Sequence, residues 1–130
     1  MEIINNNDND NNLGTHLIVD LIDIPSHIFL NELSKENYET FGTLVELSLV
    51  THGMNVLQKE THFFDQPVGA FTSFYLLSES HLSMHSWPEN NYIALDIFTC
   101  GNVNTLRIVE EIIGYLKPLT YKIQKINRGK

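Results

Sequence analysis

An α+β fold, a two-layer sandwich with an antiparallel β-sheet covered by helices on one face, is predicted by three observations. Short strand-like segments recur between Gly, Pro or Asn residues, two segments carry apolar residues at helical spacing, and the strand pairs are joined by hairpin-like turns. The chain has 130 residues, 42% of them apolar, and no internal repeat. That is enough for one domain with a substantial core, assigned to residues 13–130.

Residues 1–12 are dominated by Asn and Asp, offer little to bury, and read as a disordered leader. His16 to Leu21 is an apolar, partly β-branched run expected to form a buried strand. From about Ser34 to His52, Tyr38, Phe41, Leu44, Val45 and Leu47 to Leu49 recur at roughly helical spacing, and Gly53 stands where a helix would stop. Strands are expected at about Asn55–Phe63, Phe71–Ser78, Ser80–Trp87 and Tyr92–Thr99. Asn104 is a natural N-cap for a second helix, whose stripe of Leu106, Val109, Ile112, Ile113 and Leu116 faces a sheet and which Pro118 ends. A last strand covers about Thr120–Ile126.

Composition narrows the function. The net charge of −8 gives no footprint for a polyanion, so nucleic acid is not an expected partner. No apolar run reaches the length of a membrane span, and the first residues lack a signal peptide's basic and apolar regions. Cys100 is the single cysteine; a lone thiol fits a reducing compartment, and a cytoplasmic protein is expected.

The densest motif is Glu79-Ser80-His81-Leu82-Ser83-Met84-His85-Ser86-Trp87-Pro88-Glu89, followed by Asp96-Ile97-Phe98-Thr99-Cys100-Gly101. Pro88 to Asn91 has turn composition, so Trp87 and Tyr92 should oppose each other, and paired positions should sum to about 179. Ser80 then falls beside Thr99 and Cys100, about 5 Å away between Cα atoms for opposed residues. Alternation places His81, Ser83 and His85 on one face and Ser80, Leu82 and Met84 on the other. His85 reaches Ser80 only if the strand is bulged or kinked beside the serine.

Each of these residues also has a plainer reading. His81, His85 and Glu89, four apart, would suggest a metal site on a helix, but Pro88 and the β-like flanks argue against one, and no metal is expected. A lone cysteine is usually a small buried apolar residue. Phe63, Phe64 and Phe71 are ordinary core candidates, His16 a satisfied strand histidine, and Trp87 and Asp96 hairpin stabilisers.

These segments resemble the prokaryotic-type S-adenosylmethionine decarboxylases, small pyruvoyl-dependent enzymes made as proenzymes. The likeness runs from Leu13-Gly14-Thr15-His16-Leu17-Ile18-Val19-Asp20 through the Glu-Ser-His-Leu-Ser-x-His-x-Trp-Pro-Glu core and the Asp-x-Phe-Thr-Cys-Gly segment to Asn127-Arg128-Gly129. It implies autocatalytic cleavage of the Glu79–Ser80 bond, with Ser80 becoming a covalent pyruvoyl group, the pyruvate cofactor. His85 assists processing, and Cys100 is the proton donor in catalysis. The processing hydroxyl maps to Thr72, with Ser73 adjacent. Glu89 binds ribose hydroxyls, and Phe64 stacks the adenine, with Phe63 or Phe71 as alternatives because the family's aromatic and Pro/Gly segment differs slightly in length. Ser86 stands where many members have Thr.

The activity so implied is decarboxylation of S-adenosylmethionine, through a Schiff base on the pyruvoyl ketone, to the aminopropyl donor of spermidine biosynthesis. A cytoplasmic homodimer of cleaved chain pairs accompanies it. Alternatives are a pyruvoyl-dependent ornithine or arginine decarboxylase, whose reacting end is the same, and an uncleaved regulatory relative.

Overall fold

The computed structural model describes residues 2–5, 13–101 and 103–129. Among the described residues seven strands form one sheet: β1 (Glu2–Asn5), β2 (Gly14–Ile22), β3 (Val56–Phe63), β4 (Phe71–Leu77), β5 (Ser80–Trp87), β6 (Tyr92–Cys100) and β7 (Thr120–Arg128), in spatial order β1-β7-β2-β6-β5-β4-β3. From β7 to β3 every pairing is antiparallel. Two helices, α1 (Tyr38–Thr51) and α2 (Thr105–Leu116), complete the fold. The α+β sandwich follows from which strand residues are buried.

Alternate strand residues turn toward the helices and vanish from solvent: Leu17, Val19 and Leu21, then Tyr75, Leu77, Leu82 and Met84, then Ile93, Leu95 and Ile97. They share one cluster with Phe41, Val45 and Leu49 of α1 and Ile108, Val109, Ile112 and Leu116 of α2. Burial of this apolar area is the main favourable term in folding. Among the described residues no helix covers the opposite face, where Ile18, Phe74, Leu76 and Trp87 are 38–42% exposed.

The helix ends follow their local chemistry. The Gly53 amide donates to the Val50 carbonyl and the Met54 amide to that of Leu49, a Schellman closure that uses the positive φ of Gly53 (89°). The Asn104 side chain accepts from the Arg107 amide at 3.3 Å and caps α2. Lys117, at φ 55°, ends that helix ahead of Pro118.

Two features depart from the sequence expectations. Glu2–Asn5, within the stretch expected to be a disordered leader, pairs parallel with Lys122–Lys125 of β7. The outer edge of β7 leaves backbone donors and acceptors open, and a short segment containing Ile3 and Ile4 can satisfy them. The other residues of that leader lie outside the described residues. The first helix also starts later than Ser34, because a short π-helical turn at Ile28–Glu32 precedes it. This turn buries Ile28 and Phe29 and is followed by Ser34, whose carbonyl accepts from the Asn37 and Tyr38 amides. Gly69 packs against it so closely that a Cβ there would lie 2.7 Å from the Phe29 carbonyl oxygen.

Ile112, fully buried between α2 and the sheet, should lose about 2–5 kcal/mol of stability on replacement by alanine. Val50, exposed on α1, should change by no more than about 0.5 kcal/mol on the same replacement. Urea denaturation midpoints compare the two.

Candidate active site

The β5–β6 hairpin places the motif. Trp87 opposes Tyr92 and His81 opposes Phe98, the register deduced from the Pro88–Asn91 turn, so Ser80 lies one step further along, opposite Thr99. The rings of Trp87 and Tyr92 stack at 5.5 Å and brace the hairpin, as expected for Trp87. Ser80 and Thr99 are both buried on the helix side, 8% and 1% exposed. Cys100, next along β6, is partly exposed, carries a free thiol and opposes Gly14 of β2. Ser80 and Cys100 are therefore near neighbours across β5 and β6 whose side chains leave opposite faces of the sheet.

Glu79 joins β4 to β5 through a two-residue turn closed by the Leu77–Ser80 pair. Its φ is 59°. For a residue with a Cβ, that left-handed conformation costs roughly 1–2 kcal/mol. The strain lies in the residue that supplies the carbonyl of the Glu79–Ser80 bond.

His85 lies elsewhere. The pairing of β5 with both neighbours is uninterrupted from His81 through His85, so the bulge that would carry His85 to Ser80 does not occur. Five residues of strand separate the two by about 17 Å, and they face opposite sides. His85 instead meets Thr72: they are directly paired across β4 and β5, with Thr72 Oγ1 3.1 Å from His85 Nδ1. The hydroxyl and the histidine that the resemblance assigns to processing thus form a contact of their own, remote from the serine of the same chain.

The remaining predicted residues gather at that second location. His62 opposes Thr72, and Phe64, two residues further along, lies 4.7 Å from the His62 ring and is 50% exposed. Of the three candidate aromatics, Phe71 is 1% exposed and both Phe71 and Phe63 pack on Tyr38 at 4.9 and 5.1 Å, which leaves Phe64 accessible to a ligand. Glu89 is exposed in the 3-10 turn Pro88–Asn90, just beyond Trp87, and Trp87 is 6.1 Å from the His85 ring. Ser73, the alternative hydroxyl, is buried with Tyr38 and Thr61.

One group of polar residues escaped the sequence reading. His16 Nε2 and His81 Nε2 lie 2.6 and 3.3 Å from the same Asp96 oxygen, Oδ2, while the Ser83 hydroxyl donates to Asp96 Oδ1. Burial pushes the Asp96 carboxyl up, but the hydrogen bonds from Ser83, His16 and His81 outweigh it and hold the group below its ordinary value. No spacing signals the group, because its members come from three strands. Asp96 thus ties β6 to β2 as well as to β5, more than a hairpin role. His81, His85 and Glu89 do not converge, since residues four apart on a strand are about 13 Å apart.

Three comparisons place the chain among known proteins. Residues 15–129 match the family model described as S-adenosylmethionine decarboxylase. A protein of Methanococcus aeolicus named S-adenosylmethionine decarboxylase proenzyme is 37% identical over 118 residues, 90% of this chain and 94% of its own length. One from Bacillus cereus strain ZK / E33L, S-adenosylmethionine decarboxylase proenzyme 2, is 38% identical over 117 residues, 89% of each. The crystal structure of the adenosylmethionine decarboxylase from Aquifex aeolicus superposes with a TM-score of 0.75 at 26% identity, covering 92% of both chains.

Because the folded value of Asp96 lies below its unfolded value of about 3.9, its stabilising contribution is complete above that pH and is lost as pH falls through the folded value. Below about pH 4 the wild-type protein should therefore lose stability more steeply than Asp96→Asn. Urea midpoints measured from neutral to acid pH compare the slopes; parallel profiles would contradict the assignment.

Proposed function

Because the chain belongs to the S-adenosylmethionine decarboxylase family, we propose that it is a proenzyme that cuts itself at Glu79–Ser80 and then decarboxylates S-adenosylmethionine, supplying the aminopropyl donor for spermidine. The observation that carries this reading is the Glu79–Ser80 turn: a strained carbonyl-bearing residue, the serine at the start of a paired strand, and a thiol on the adjoining strand. In the cut, the Ser80 hydroxyl attacks the Glu79 carbonyl and the amide becomes an ester. A base removes the Ser80 Cα proton and the Glu79 carboxylate leaves by elimination. Water then hydrolyses the dehydroalanine, releasing ammonia and leaving residue 80 as a pyruvoyl cap.

That group supplies an electron sink for loss of carbon dioxide. The surrounding residues fit it. Cleavage removes the tether of residue 80 to Glu79, so the new β5 terminus can turn from the helix side toward Cys100. The Cys100 thiol delivers a proton to the carbon that loses carbon dioxide. Phe64 offers an aromatic face to the adenine and to the sulfonium charge, and Glu89 accepts hydrogen bonds from ribose hydroxyls.

The geometry of a single chain separates Ser80 and Cys100 from Thr72, His85, Phe64 and Glu89. Both groups can serve one reaction if two copies associate through their open sheet faces about a two-fold axis, which would set the Ser80 end of each sheet over the His85 end of the other. In this homodimer His85 and Thr72 of the partner subunit assist the cut at Ser80. Exposed Ile18, Phe74, Leu76 and Trp87 on that face are what such an interface would bury. The functional setting is cytoplasmic, with no role for nucleic acid or membrane.

Three measurements test the reading. Intact mass of the purified protein should show two chains, Met1–Glu79 and a capped remainder, with carbon dioxide released from labelled S-adenosylmethionine; release only from ornithine or arginine would overturn the substrate. Ser80→Ala should abolish cleavage and activity, whereas Cys100→Ala should leave cleavage largely intact and lower kcat at least tenfold. Coexpressed Ser80→Ala and His85→Ala chains should complement each other, part of the His85→Ala chain being cut in mixed dimers. Absence of such cleavage, with mixed dimers present, would place His85 on its own Ser80.

A further inference from the structure

His16, His81 and Asp96 stand on β2, β5 and β6, three strands that are neighbours in the sheet. His16 and His81 flank Phe98 in one row, since both oppose it in the register. Each offers Nε2, and the two imidazole nitrogens and a carboxylate oxygen all lie within 4.8 Å of one another. All three residues are partly buried on the open face. Ligands about 2.0–2.1 Å from a tetrahedral ion are about 3.3–3.4 Å from each other; the Asp96 contacts at 2.6 and 3.3 Å lie within about 0.8 Å of that, and the imidazole nitrogens, within 4.8 Å of each other, must close by at most about 1.5 Å to seat an ion.

The supports are those of a preorganised site. Ser83 holds Asp96 Oδ1, which leaves Oδ2 as the oxygen that faces both imidazoles. The Phe74 ring stacks on His81 at 5.7 Å and 16°, and the Phe98 ring meets His16 edge-on at 5.8 Å. Both imidazoles are thereby walled by aromatic rings, and Asp96 is held by an outer hydrogen bond of the kind that orients ligating carboxylates in known metal centres. Two nitrogens and one carboxylate oxygen suit a borderline divalent ion; hard ions such as Mg2+ and Ca2+ prefer all-oxygen shells.

We propose that His16, His81 and Asp96 form a binding site for a divalent ion of the Zn2+/Co2+ class, with solvent completing the coordination. The site goes beyond the decarboxylase reading and does not depend on it. An occupant would cross-link β2, β5 and β6 beside the Ser80–Cys100 end of the sheet.

Co2+ added to the chelator-stripped full-length protein tests the site through its visible absorption. The expected result is ligand-field bands that saturate at one ion per chain and are discharged by Zn2+. His16→Gln, His81→Gln and Asp96→Asn should each weaken Co2+ binding at least tenfold, and His27→Gln, exposed at the start of the π-helical turn, should not. Ser83→Ala keeps all three ligands and should weaken binding about tenfold through loss of the outer hydrogen bond. It also serves where a ligand variant fails to fold. Absence of bands, affinity unchanged in Ser83→Ala and every folded ligand variant, or an equal loss in His27→Gln would each overturn the proposal.

Discussion

The unbroken antiparallel pairing of β4, β5 and β6 constrains the rest of the molecule. A strand paired on both sides must alternate its side chains strictly, and a one-residue slip would send Leu82 and Met84 to solvent and His81 and His85 into the core. The core beneath α1 and α2 therefore locks the register, and the register in turn dictates which polar residues meet. Thr72 meets His85, and Asp96 meets His81 and Ser83, as consequences of that one constraint.

The same constraint excludes the simplest picture of the site. Ser80 and His85 cannot approach along a regular strand, and the left-handed residue nearest Ser80 is Glu79, outside the paired segment. A left-handed residue sits in the turn that holds the proposed cleavage bond, while β5 beyond that turn stays regular. A sheet with one face covered by helices and the other bare has a natural use for the bare face. Polar residues on it are at least partly open to solvent, whereas Ser73, Ser80 and Thr99 on the helix side are buried.

Much of this architecture was legible beforehand. The strands β3 to β6, the Gly53 and Asn104 signals at the helix ends and the hairpin register all arise from local chemistry: turn composition, capping and alternation act over a few residues. The π-helical turn at Ile28–Glu32 and the start of α1 were less legible, because burial of Ile28, Phe29 and Leu33 against distant elements overrides local preference there. Glu2–Asn5 was misread for a related reason, since its pairing depends on a free edge supplied by β7 at the other end of the sequence. Among the aromatics, Phe63, Phe64 and Phe71 were equivalent until packing buried Phe71 and set Phe63 against Tyr38.

The amino-acid sequence by itself determined the family, the α+β class and the neighbours of Ser80 and singled out the candidate site residues, because these depend on residue type and short-range spacing. The tertiary structure alone decided how those residues are grouped. It divided them between two ends of one sheet and assembled His16, His81 and Asp96 from three strands. Such groupings depend on which strands lie side by side and which face is buried, and both are properties of the whole core.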